Sequence, residues 1–169
     1  MGLKEAGSDF EEQPVIPEEY YWGTFEKLHA YERDEEIRLN LIFRVEHEGE
    51  EVEVVFNTSN ILSMYGDDHS SKLGHFIEDL DLEEVVDEAI GADGSLADGS
   101  KKFVLETDED EEILRKALKI ALSGKKFKLN IVREEDEENG ERNFIDRVSD
   151  WEQLNPGQKS EEKGKGGAD

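Results

Sequence analysis

The sequence predicts a mainly β fold: a five-stranded Greek-key barrel with a helical insertion between its third and fourth strands. Three observations predict it. Apolar and polar residues alternate over residues 36–46 and 126–132, the period of a strand with one buried face. Between those stretches the apolar spacing changes to that of helices. Near the end, Asn139-Gly140 sits between two strand-like runs, a strong hairpin signal.

Each element follows in order. Residues 20–31 are rich in aromatic and β-branched side chains and read as the first strand. Arg33-Asp34 reads as a turn. In residues 36–46, Ile37, Leu39, Leu41, Phe43 and Val45 form the inward set of the second strand. Arg38, Asn40, Ile42 and Arg44 then face outward. Residues 47–50, His-Glu-Gly-Glu, make a tight connection. Residues 51–57 return as a third strand, with Val52, Val54 and Phe56 on one side.

The middle of the chain is helical. Residues 70–73 open a helix carrying Leu73, Phe76, Ile77 and Leu80. A second short helix covers residues 82–89, with Val85, Val86 and Ile90 as its apolar set. Residues 91–100, GADGSLADGS, are a loop by composition. Residues 102–105 add a short strand. Thr107 is placed to cap a third helix, with acids at residues 108–112 where the helix dipole favours them. Ile113, Leu114, Ala117, Leu118 and Ala121 repeat at helical spacing, and Gly124 stops the helix. A closing hairpin follows. Phe127, Leu129 and Ile131 point inward, and Lys126, Lys128 and Asn130 outward. Residues 142–148 form the return strand, after which Trp151 and Leu154 fold back onto the barrel end. Three strands, helices and a two-strand hairpin are the plan of an OB-type barrel. An α+β sandwich with the same elements is the alternative.

The 169 residues allow one domain. Residues 1–17 read as a disordered acidic arm, residues 18–154 as the OB-fold domain, and residues 155–169 as a disordered tail. No apolar run is long enough for a membrane helix, and the N-terminus has no apolar signal core. Cysteine is absent, which removes thiol catalysis and thiolate metal sites and fits a cytoplasmic location.

Charge restricts function. The chain carries 45 acidic and 20 basic residues, a net charge of −25. Such a surface repels polyanions as a whole. A nucleic-acid site therefore requires basic residues gathered on one face.

The sequence offers such a face. Arg38 and Arg44 point outward on the second strand, and Lys126 and Lys128 on the fourth, with Lys125 beside them and Arg142 on the closing strand. Tyr20, Trp22, Tyr31 and Phe144 are candidate stacking platforms. Cations along the backbone path and aromatic planes under bases are what single-stranded nucleic acid requires. The predicted nucleic-acid-binding set is Trp22, Tyr31, Arg38, Arg44, Lys125, Lys126, Lys128, Arg142 and Phe144.

Other chemistry has little support. Tyr65-Gly66-Asp67-Asp68 matches a polymerase tetrapeptide, but the chain is too short for that fold. Asp67, Asp68, His69 and His75 lack the i, i+4 histidine spacing of a helical metal site. The acidic runs at 108–112 and 134–138 lack the alternation and glycine of a calcium loop. No nucleophile elbow or phosphate loop is present. No catalytic residue, metal or cofactor is expected.

Four segments together resemble a family. IPEEYYWGTFEKL, RLNLIFRVEHEGEEVEVVF, SSKLGHFIEDL and LSGKKFKLNIVREEDEENGERNFIDRV occur in the order of pieces found in phage- and archaeal-virus-encoded single-stranded DNA-binding proteins of the OB-fold class. Glu18 and Glu19 stand where that family often has Gly. The resemblance implies a non-catalytic accessory protein of DNA replication or recombination. Its partners would be single-stranded DNA or RNA and replication or recombination proteins, with homo-oligomers open and no membrane. The alternative is an acidic interaction protein, a DNA mimic that occupies a basic groove on a host protein.

Overall fold

The computed structural model describes residues 4–5, 15–64, 71–91, 103–136 and 140–154. The tail at 155–169, most of the 1–17 arm, the loop at 92–100, Asn139 and the Asp67, Asp68 and His69 cluster lie outside the described residues.

The strands are β1 (Lys4–Glu5), β2 (Glu19–Arg33), β3 (Glu36–His47), β4 (Glu50–Ser59), β5 (Ile61–Leu62), β6 (Phe103–Val104), β7 (Lys125–Asp136) and β8 (Gly140–Gln153). The helices are α1 (Lys72–Asp79), α2 (Glu83–Gly91) and α3 (Asp108–Leu122). Strands β2, β3, β4, β8 and β7 pair in that order, and β7 returns to β2. A five-stranded barrel therefore closes. Its pairs are antiparallel except β4 with β8, which run parallel through Val55 and Phe144. The fold is mainly β and consistent with an OB-type barrel. In chain order the three helices fall between β4 and β7.

The two-residue hairpins are built as the right-handed sheet twist requires. Asp34 and Glu35 have φ of 53° and 68°, and Glu48 and Gly49 have φ of 53° and 83°. The first turn lies one residue later than the sequence predicts. Gly23 forms the barrel corner, pairing with Val45 on β3 and with Phe127 on β7. A Cβ there would lie 2.7 Å from the Arg44 carbonyl oxygen, so only glycine lets both neighbours approach.

Strand alternation fills the barrel. Leu39, Leu41, Phe43 and Val45 meet Val52, Val54, Phe56, Phe127, Leu129 and Ile131 in one core. Phe43 lies edge-to-face with Phe127, ring centroids 5.6 Å apart, and with Phe76 of α1 at 6.4 Å. Burying one such side chain contributes about 1.5–3 kcal/mol. Leu73, Phe76 and Ile77 give α1 its buried face. Ser71 caps α1 by accepting from the Gly74 amide at 3.0 Å. Its own amide donates to the Ser63 carbonyl at 3.2 Å, which holds the helix start to the segment after β5. In α3, Thr107 and Asp110 form a capping box.

The structure changes several expectations. β8 continues to Gln153, so Trp151 stays in the strand as the partner of Phe127 instead of folding back. In α2, Val86 and Ile90 are buried while Val85 is exposed, because the helix is amphipathic and Val85 falls outside the stripe. β6 pairs with β5, a strand too short to show periodicity. Ile16, on the arm side of the expected boundary, is buried. Its amide donates to Asn143 Oδ1 at 2.7 Å, and its carbonyl accepts from Asn143 Nδ2 at 3.0 Å. No described helix is long and apolar enough to cross a membrane.

Candidate nucleic-acid interface

The outer wall of the barrel carries two groups of aromatic and basic side chains. The first lies where β2 pairs with β7. Alternation turns Tyr20 and Trp22 outward, and they remain 59% and 41% exposed. Trp22 pairs with Lys128, and Tyr20 with Asn130. Neighbouring lysines lean diagonally over the rings. Lys126 Nζ lies 5.2 Å from the Trp22 centroid, and Lys128 Nζ lies 5.1 Å from that of Tyr20. Both distances suit cation–π attraction. Lys126 also meets Glu152 at 3.5 Å, an exposed and therefore weak pair. Among the described residues, no carboxylate lies within salt-bridge distance of Lys128.

The second group lies farther along β2, on the wall shared with β3 and β4. The register brings Tyr31 beside Arg38, Arg38 beside Ser59, and Asn40 beside Asn57. Asn57 is the centre. Arg38 Nη2 donates to Asn57 Oδ1. Asn57 Nδ2 donates to the Tyr31 hydroxyl at 2.7 Å and to Asn40 Oδ1 at 2.6 Å. His29 stacks on Tyr31, ring centroids 5.6 Å apart and planes 15° apart. The next row is apolar. Ile42 and Val55 pair on the same face and are only 2% and 3% exposed, and Phe144 is the β8 partner of Val55. The Arg142 guanidinium lies 5.5 Å from the Phe144 ring centroid.

Lys72, at the start of α1, adds charge near this group. Its Nζ lies 4.8 Å from the Phe56 ring centroid. Burial, and then the Arg38 charge, hold its ammonium below the ordinary lysine pKa. Neither Arg38 nor Lys72 has a salt-bridge partner among the described residues.

The wall thus assembles Trp22, Lys126 and Lys128 in one group and Tyr31, Arg38, Arg142 and Phe144 in the other. Two members of the predicted set are placed differently. Arg44 faces outward but is held between Glu26 at 2.9 Å and Glu51 at 3.3 Å. Lys125 shares the parity of Phe127, not of Lys126, and its ammonium lies 4.9 Å from the Trp151 ring. Tyr31 is only 6% exposed, so it holds Asn57 and supports His29 rather than offering an open ring face. Asn57 and His29 were not in the predicted set. The signal for Asn57 was present, since alternation from Val52, Val54 and Phe56 turns it outward. Its partners required the register.

Acids lie on this wall as well as elsewhere: Asp150 is the β8 partner of Lys128, and Asn130 Nδ2 donates to Asp146 Oδ2 at 3.4 Å. Glu46, Glu48, Glu50 and Glu51 surround the β3–β4 turn, and Asp108, Glu109, Asp110 and Glu111 fill the first turn of α3. Among the described residues no acid or histidine cluster could hold a metal ion. His75 is exposed beside Glu78 at 3.7 Å.

Compared with protein-family models, with curated proteins and with solved structures, the chain matches none.

Proposed function

We propose that this chain binds single-stranded nucleic acid, DNA in the first instance, along the outer wall of its barrel and performs no catalysis. The observation that carries the reading is the pairing of exposed Tyr20 and Trp22 with Lys128 and Lys126. An aromatic plane beside a cation is the local unit of sequence-tolerant strand binding: bases stack on the plane and phosphates meet the ammonium. The group at Arg38, Arg142 and Phe144, on the wall of β3, β4 and β8, offers a second contact surface.

The net charge of −25 opposes any polyanion at long range. Acids also stand on the wall, with Asp150 and Glu152 as the β8 partners of Lys128 and Lys126, so binding rests on short-range contacts and on low salt. A role in replication or recombination is the one that the resemblance implies for such binding. Association is reversible and releases counterions, so affinity falls as salt rises.

Fluorescence anisotropy with a labelled oligonucleotide tests the reading. Single-stranded DNA binds at low salt, duplex of the same length binds more weakly, and added salt weakens both. Absence of binding at low salt, or equal affinity for duplex, overturns it and leaves the DNA-mimic alternative, in which the acids meet a basic protein groove.

A further inference from the structure

The hydrogen bonds around Asn57 have a fixed direction. A guanidinium only donates, so the Asn57 atom that meets Arg38 is the carbonyl oxygen. The amide nitrogen then turns to the Tyr31 hydroxyl and to Asn40. Asn40 must meet a donor, so it turns its own oxygen inward. Its amide nitrogen is left facing away from the network. Arg38 likewise keeps the N–H groups that Asn57 does not use.

The two side chains therefore present donors and no acceptors. Both are partly exposed, and neither has another partner among the described residues. One pair beyond Asn40 and Asn57, about 7 Å along the strands, and two pairs beyond Arg38, Ile42 and Val55 are buried, with the half-buried ring of Phe144 beside Val55 on β8. The surface is thus a donor edge with one half-buried aromatic ring, Phe144, nearby on β8, the complement of a flat ring with acceptors along one side.

We propose that this patch reads one guanine of the bound strand through its O6 and N7 acceptors. Arg38 supplies the forked contact, Asn57 acts as the positioning residue, and the base plane rests toward Phe144. The proposal deepens the nucleic-acid reading and rests on it. On its Hoogsteen edge guanine presents two adjacent acceptors, and a guanidinium meets them with two parallel donors. Cytosine offers N3 and O2 on its Watson–Crick edge, so a central-cytosine strand is compared as well, and binding as tight as that of central guanine overturns the assignment. Adenine presents a donor at the corresponding position and leaves one Arg38 N–H unmatched. A lysine could not hold both contacts at once.

The test uses labelled twelve-nucleotide strands that differ at one central base within an oligo-dT carrier. Central guanine binds at least about fivefold tighter than central adenine, as one bidentate contact implies. Replacing it by 7-deazaguanine, which lacks the N7 acceptor, removes most of that preference. Arg38→Lys abolishes the preference, so that central guanine and central adenine strands bind alike. Asn57→Ala weakens the preference with Arg38 still present. Equal affinity for every central base, with binding intact, overturns the inference and leaves the general function standing. A uniform loss across all strands in Arg38→Ala, with full rescue by Arg38→Lys, assigns Arg38 to a phosphate instead and overturns it too. If no strand binds, both readings fall. The 7-deazaguanine comparison uses the unaltered protein, so it holds even if a variant does not fold.

Discussion

The indole N–H of Trp151 donates to the carbonyl oxygen of Leu80 at 2.8 Å, joining the end of strand β8 to the C-terminal cap of α1. The ring also packs against the core from the barrel end. One side chain therefore links the closing strand to the helix that seals the barrel. Trp151→Phe keeps most of the apolar contact and removes the hydrogen bond. It lowers stability by about 1–2 kcal/mol. Urea unfolding should show a lower midpoint with an unchanged slope.

Gly74 has no room for a side chain. A Cβ there would lie 1.8 Å from the Ser63 carbonyl oxygen, which is backbone and cannot swing aside. Gly74→Ala must push α1 away from the segment after β5 and loosen the Ser71 cap. The expected cost is about 1–3 kcal/mol, as for other overpacked sites. A thermal melt followed by circular dichroism checks it, with Gly91→Ala as the control, since nothing lies within 4 Å of a Cβ at Gly91.

Glu35 occupies the left-handed region at φ 68° in the β2–β3 turn, where a non-glycine side chain costs roughly 1 kcal/mol. Glu35→Gly should stabilise the protein by about that much, less the entropy that glycine adds to the unfolded chain. A fall in stability would show that Glu35 makes a compensating contact.

Lys126 and Lys128 should contribute separately to the salt dependence of binding. For single strands each neutralised phosphate adds about 0.7 to the slope of log affinity against log salt. Lys128→Ala and Lys126→Ala each reduce that slope by about this amount. Arg44→Ala changes it far less, because Glu26 and Glu51 already hold that guanidinium. An equal effect at all three positions would mean that the wall acts only through summed charge.

Of the two tryptophans, Trp22 is the one exposed on the proposed path. Oligonucleotide binding should quench its emission and leave that of Trp151 unchanged. Trp22→Phe removes the quench with modest loss of affinity. Trp22→Ala costs about 1–3 kcal/mol of binding. A quench that survives Trp22→Phe would place the strand elsewhere.

Much of this was legible along the chain. The period-two run from Ile37 to Val45 named the inward set of β3, and the run from Lys126 to Val132 did the same for β7. Both patterns are local, because a strand with one wet face needs only its own residues to reveal it. The cap at Thr107 and the helical spacing after it were equally local. Less legible were elements without a period of their own. β5 has two residues and exists through its pairing with β6, the short strand expected at residues 102–105.

The candidate site divides along the same line. By itself the sequence determined which residues could face outward: Arg38, Asn40, Arg44, Lys126 and Lys128 follow from alternation alone. Only the tertiary structure decided which outward residues meet. Cross-strand register, with irregularities between Phe25 and Lys27 and twice in β7 against β8, set those encounters. It placed Arg44 between two carboxylates, Lys126 over Trp22, and Arg38 on Asn57. A period fixes the side of the sheet on which a side chain stands, but its neighbour comes from a strand many residues away. Contact between them is a property of barrel closure, which no local pattern contains.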